Sequence, residues 1–428
     1  MRTRKSLVIG VVGLALLAAG CSSGDGGGGD SAGSVTVWTH TNKSFNKAYQ
    51  TLADSYMAEN PDVSITFETF DYDTYIQTLQ TSLPAGNEAD ILQMFGSWTC
   101  SYSDNLATVP SDVATVEDAQ GEFFKGPLGG YVCDDALYGM PQESNVEYGA
   151  TLVNQDMAEA AGVELDGWSS FDDFKADAKA MTVEEDGEIT RAGYHFTTND
   201  GLAYTFLSLI LQGGGSYQAD DGSFTFQTPE ALAALELMKS FVDEGIVDPT
   251  LFTDTANWVG DCYFTELCAM GLVGPWVVPE YSEDFPEVAG VTEYVPLPTL
   301  ENESFAADSG WGLTVSDNSQ AQDVAWDFVS YVAQNADNAL QWNLATGTLP
   351  ALKANIEGDA RDQLLSDASY LEPWLGLLDN AEYVGSLPDR DRLFYRVIVP
   401  NILDVLNGQA TPEDALAAIE SEANAIQG

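Results

Sequence analysis

Two spacings of apolar residues run along the chain, and each predicts an element where it occurs. Residues 34–38 read Ser-Val-Thr-Val-Trp, the alternation of a strand with one buried face. Residues 45–59 place apolar side chains at helical spacing, and Asn60-Pro61-Asp62 ends that helix. A second strand is predicted over 63–67 and a helix over 72–83. Ala89-Asp90-Ile91-Leu92-Gln93-Met94 is then a buried strand of the kind found in parallel sheets. Strands alternating with helices predict an α/β domain built on a parallel sheet.

The pattern then crosses over near residues 136–141 and resumes with a strand at 147–153. A helix over 169–181 has Ser169 or Ser170 as its cap and Asp172 and Asp173 in its first turn. An apolar helix over 202–211 runs into Gly213-Gly214-Gly215, and Pro229 opens another helix that reaches residue 242. Residues 269–273 form an apolar strand, and 311–315 a strand that returns to the first domain. Helices follow at 321–333, 390–406 and 412–426, and no internal repeat is visible. The chain therefore leaves one α/β domain, builds a second, returns, and leaves again. Several crossovers between two lobes make a hinge and a cleft. Ligands bind in such clefts, at strand ends and helix starts.

The first residues change the picture by giving the chain an address. Arg2, Arg4 and Lys5 precede an uncharged apolar run over 7–19, too short to span a bilayer. Ala18-Ala19-Gly20-Cys21 follows, which predicts a signal peptide over 1–20 cleaved before a Cys21 that carries the lipid. Residues 21–33 are rich in Gly and Ser and read as a flexible tether. The expectation is an exported lipoprotein on the outer face of the cytoplasmic membrane, touching the membrane only through Cys21. No later run reaches the length of a span.

Charge then narrows the partners. Fifteen basic residues face 67 acidic ones, a net −52, which repels nucleic acid. Beyond Cys21 the cysteines are Cys100, Cys133, Cys262 and Cys268, an even number in an oxidising compartment. The expected bridges are Cys100–Cys133 and Cys262–Cys268. A zinc site is the weaker alternative, because no CxxC occurs and the histidines are His40 and His195. Neither a metal nor a cofactor is expected.

A series of segments resembles the extracellular sugar-binding proteins of ABC importers, of the maltose-binding type. They are Ala89-Asp90-Ile91-Leu92, Leu137-Tyr138-Gly139-Met140-Pro141, Trp168-Ser169-Ser170-Phe171, Gln212-Gly213-Gly214 and the stretch from Cys268 to Gly274-Pro275-Trp276. Ser309-Gly310-Trp311-Gly312-Leu313, Ala325-Trp326-Asp327-Phe328, Ala345-Thr346-Gly347-Thr348-Leu349-Pro350, Phe394-Tyr395 and Thr411-Pro412-Glu413-Asp414-Ala415-Leu416 continue it. Each is weak alone; their order across nearly all of residues 34–428 carries the resemblance. It implies a two-lobed periplasmic-binding-protein fold of type II, each lobe a mixed sheet flanked by helices. The division expected is 34–142 with 296–345, against 143–295 with 346–428. It also implies reversible sugar binding and an ABC permease as partner, and the protein is expected to be a monomer.

Sugars offer hydroxyls and an apolar ring face, so their sites combine flat aromatic rings with planar polar groups. Trp276, emerging after Gly274-Pro275, matches the family's stacking tryptophan. Trp311 lies between two glycines that leave room for a ligand. Tyr395 and Tyr204 match other aromatics of the family's site, and Trp258 and Trp374 fall in variable loops. His40, Asn42 and Lys43 follow the first strand, Ser97 and Trp98 follow the strand at 89–94, and Glu147 matches an acidic acceptor. Asp391 and Arg392 read as a solvated helix start. Trp38, Trp168 and Trp326 read as core.

Three other functions are weighed. A binding protein for a cationic solute such as a polyamine would use the acids and aromatics as a cation–π site. A surface glycan-binding adhesin would have no permease. A glycosidase would use paired carboxylates, yet the chain holds no GxSxG, HExxH, phosphate-binding glycine loop or EF-hand pattern. The reading carried forward is an oligosaccharide-binding lipoprotein that feeds an ABC importer and is not an enzyme.

Overall fold

Val35 and Val37 point into a core while Ser34 and Thr36 face outward, so the first strand forms as the alternation predicts, over Ser34–His40. The computed structural model describes residues 33–253, 259–385, 387 and 389–427. The expected signal peptide, Cys21 and Trp258 lie outside the described residues.

The first strand sits inside a five-stranded sheet, in the order Ser64–Phe70, Ser34–His40, Ile91–Phe95, Trp311–Val315, Gly139–Pro141. The first three run parallel. Trp311–Val315 returns antiparallel to both of its neighbours, with Trp311 opposite Phe95. A second, antiparallel sheet places Ala150–Asn154 between Met270–Gly271 and Thr292–Pro296.

Two apolar cores result. One gathers Val35, Leu52, Ile91, Met140, Leu313, Trp326 and Trp342; the other gathers Leu152, Phe174, Leu207, Met270, Trp374 and Ile402. Phe305, Ala306 and Ala307 pack in the second core and Trp311 in the first, so core membership changes between residues 307 and 311. It changes back and forth again between Leu340, Trp342, Leu349 and Ala351. The chain thus passes between the two bodies at several points, through the segment at 307–311 and around the helix Ala336–Thr346, and multiple crossings are how a hinge is built.

Polar side chains cap the helices, at Ser170 as expected and at Asn42 ahead of the helix start expected at residue 45. Asn42 accepts the Phe45 N–H at 3.0 Å, Ser170 the Asp173 N–H, and Thr228 the Ala231 N–H. The helix expected over 390–406 arrives instead in three pieces: Arg390–Arg392, a widened π-helical turn over Leu393–Ile398, and Val399–Leu406. Pro400 has no N–H to offer the carbonyl of Arg396, which breaks the ladder at that turn.

Cys100 and Cys133 are joined. Cys262 and Cys268 are not, which corrects the second expected bridge. Both thiols are fully buried in the second core, and burial pushes the Cys268 thiol upward. They pack as small apolar groups.

Candidate functional site

The ends of the first sheet's strands meet the edge of the second body around a chamber of about 320 Å³. From the first body come His40 at the end of Ser34–His40, Asn42 and Phe45 at the next helix start, Tyr72 at another, and Phe95 and Trp311 from adjoining strands. Glu143, Asn145 and Glu147 come from the crossing segment. From the second body come Asn199, Asp200, Trp276, Glu280 and Tyr395. This is the carboxyl edge of a parallel sheet, where α/β folds bind ligands.

The first-body wall is aromatic. The His40 ring lies flat on Trp311, with centroids 4.4 Å apart and planes 11° from parallel. The Phe95 ring lies tilted against that indole with centroids 4.0 Å apart, and Trp98 meets it edge-on at 5.6 Å. Trp311 is therefore a packed wall, 6% exposed, rather than a free platform. Gln93 Oε1 holds His40 through both its backbone N–H and its Nδ1. Burial lowers the His40 pKa to about 4, against the smaller opposing effect of Gln93, so the ring is neutral near pH 7.

The opposite wall is partly open. Trp276 is half-buried, and its Nε1–H donates to Glu147 Oε1 at 3.2 Å. The Gly274 N–H donates to the other oxygen of that carboxyl. Desolvation raises Glu147 to about 7, with the negative charge of Asp200 adding to it. Glu143 accepts the Trp311 N–H at 3.1 Å and is raised to about 8, again chiefly by desolvation. Among the described residues no group of His, Cys, Asp and Glu is placed to hold a metal.

Behind the chamber a polar network ties the two bodies together. Arg390 is 3% exposed and pairs with Asp200, Asp308 and Asp391. Asp308 also accepts from Ser97 of the first body at 3.0 Å and from Tyr204 of the second. A second cavity of about 270 Å³ lies beside this network, lined by Ser97, Trp98, Tyr102 and Arg390 among others. An outer trough of about 750 Å³ shares Tyr72 and Tyr395 with the chamber and adds Asp389, Asp391, Arg392 and Arg396.

Of the residues singled out from the sequence, His40, Asn42, Glu147, Trp276, Trp311 and Tyr395 share the chamber. Ser97 and Trp98 line the adjoining cavity. Three others stand apart. Tyr204 is wholly enclosed and spends its hydroxyl on Asp308 and Arg390. Trp374 is fully buried in the second core, 5.2 Å edge-on to Tyr294. Lys43 faces solvent and pairs with Glu283 at 2.8 Å. Sequence reasoning missed Glu143, Asn145, Asp200, Arg390, Tyr72 and Phe95. A clue to the first two was present: Glu143, Asn145 and Glu147 alternate with Ser144, Val146 and Tyr148, so one face of an extended segment is polar.

The sequence profile described as bacterial extracellular solute-binding protein matches residues 42–339. The chain belongs to that family. A binding protein of Brucella abortus is 25% identical over 387 residues, covering 88% of this chain and 89% of its own. The arabinooligosaccharide-binding protein of Halalkalibacterium halodurans is 21% identical over 386 residues, covering 88% and 78%. The crystal structure of the cyclic alpha-maltosyl-1,6-maltose binding protein of Arthrobacter globiformis superposes with a TM-score of 0.76 at 22% identity, over 92% of this chain and 98% of that one. The fold is thus that of the periplasmic binding proteins. As an extracellular solute-binding protein it is exported, and its relatives are named as binding proteins. No helix among the described residues is long and apolar enough to cross a membrane.

Proposed function

We propose that this solute-binding protein captures an oligosaccharide in the chamber between Trp311 and Trp276 and delivers it to an ABC permease. The observation that carries this is the combination of facing aromatic walls with a planar polar set. Trp276, Tyr72 and Tyr395 are partly open and offer ring faces for sugar C–H groups, while Asn42, Asn145, Glu143 and Glu147 offer hydrogen bonds. The chamber and the outer trough share Tyr72 and Tyr395 as lining residues, and such neighbouring spaces suit a chain of sugar units rather than one. The relatives named for an arabinooligosaccharide and a cyclic maltosyl sugar support the same class.

In this reading the two lobes expected from the sequence meet at the segments that pass between the two cores, so the return to the first lobe falls between Ala307 and Trp311 rather than at residue 296. The open form takes sugar on one lobe and closure adds the other lobe's rings, so ligand shifts the population toward the closed form that the permease reads. Cys21 anchors the protein, as a monomer, through its lipid. A thermal-shift screen of the tether-free domain against an oligosaccharide panel tests the reading. A bound sugar at 100 times its dissociation constant adds about 2.7 kcal/mol of stability. A panel in which linear polyamines stabilise the protein and no glycan does would contradict it.

A further inference from the structure

Four acidic side chains, Glu143, Glu147, Asp200 and Glu280, line the chamber with no lysine or arginine among its lining residues. Glu143 Oε2 and Asn145 Oδ1 are buried with no partner. The two residues lie two apart on the crossing segment, and both line the chamber. Glu143 is only 4% exposed, and its other oxygen is taken by the Trp311 N–H. Its place depends on Gly310: a Cβ there would come within 2.9 Å of Glu143 Cγ, and the glycine also holds φ at +75°. Glu147 already receives Trp276 and Gly274.

No ion pair of Glu143 or Glu147 with a Lys or Arg occurs among the described residues, and Arg390 is already held by three aspartates. The outer trough differs, since there Arg392 and Arg396 accompany Asp389 and Asp391. The carboxyls without a cationic partner therefore belong to the inner chamber.

A hydroxyl donates one proton and brings lone pairs of its own, whereas an ammonium brings donors, a charge and no acceptor. Only the second supplies the cation that Glu143 and Glu147 lack, and its donors match Asn145 Oδ1 and, once Glu143 is ionised beside it, Glu143 Oε2. We propose that the sugar unit seated against Trp311 carries a basic amine, so that the ligand is an amino-bearing oligosaccharide. This rests on the saccharide reading above and names its class. The upward shift of Glu143 agrees, because a carboxyl without a cation is held neutral until one arrives.

The test is calorimetry with disaccharides, in both α- and β-1,4 linkage, that differ only in bearing a hydroxyl, an acetamido or a free amino group. The amino form should bind about tenfold more tightly or better, the range of a charge-assisted hydrogen bond. Glu143→Gln should collapse that preference, and Asn145→Asp, which adds charge beside it, should widen it. Spermidine, a cation without a ring, should bind more weakly than the amino sugar. Equal or weaker binding of the amino form, or a preference unchanged in both variants, overturns the proposal while neutral-sugar capture stands. Binding by none of the disaccharides, with a glycan panel equally silent, overturns both.

Discussion

A neutral imidazole stacked on an indole gives the chamber its most rigid surface. His40 cannot charge near pH 7, so it presents Trp311 with a flat apolar neighbour and no ion to solvate. The two tryptophans therefore differ as probes. Trp311→Ala empties a packed wall and should cost about 3–5 kcal/mol in urea denaturation, while Trp276→Ala, at a half-open position, should cost less than about 1.5 kcal/mol. Equal losses would mean that Trp276 is structural.

Glu143 is a second residue-scale lever. Its folded pKa of about 8 exceeds the ordinary glutamate value of 4.5, so between those values the folded state holds a proton that the unfolded chain has released. Its contribution to stability therefore falls as pH rises through that window. Glu143→Gln removes the titration while keeping an acceptor for Trp311. Urea midpoints of the variant and the wild type should diverge in the variant's favour from about pH 5 to about pH 8, by roughly 2–4 kcal/mol. Parallel curves would show that the carboxyl is ionised throughout.

The elements position these residues through their ends. His40 closes a strand, Asn42 caps the helix that follows, Asp200 sits in the first turn of Asp200–Gln212, and Tyr395 rides the π turn. Arg390 joins that last segment to the rest. Arg390→Met leaves Asp200, Asp308 and Asp391 without their cation and should cost about 3–5 kcal/mol, measured by urea denaturation. A loss below about 1 kcal/mol would mean that water reaches the network.

Much at this scale could be read from the chain. Caps at Asn42, Ser170 and Thr228 mark their own helices, and period-2 runs mark the strands. What escaped depends on contacts between distant segments. Arg390 meets an aspartate 190 residues away and another 82 away, and no local pattern announces either. Tyr204 and Trp374 are aromatic in sequence but buried by neighbours that only the fold supplies. The free thiols of Cys262 and Cys268 show the same limit, since an even count says nothing of packing.

At the scale of the whole molecule, two cores joined by several crossing segments leave a chamber whose walls come from both. The sequence carried this architecture, because repeated departures from and returns to an α/β pattern leave few topologies. It carried the polarity of the chamber only in part: the net charge of −52 does not say which carboxyls turn inward, and Glu143 and Glu147 reach the chamber on the crossing segment. The account stands on sugar rings lying against the second body's open indole while the first body's wall closes over them. Calorimetric titration of the wild type and Trp276→Ala with the tightest-binding oligosaccharide of the panel tests this most directly. The account predicts saturable one-to-one binding, weakened about tenfold or more in a variant that remains folded. Unchanged affinity in that variant would contradict it.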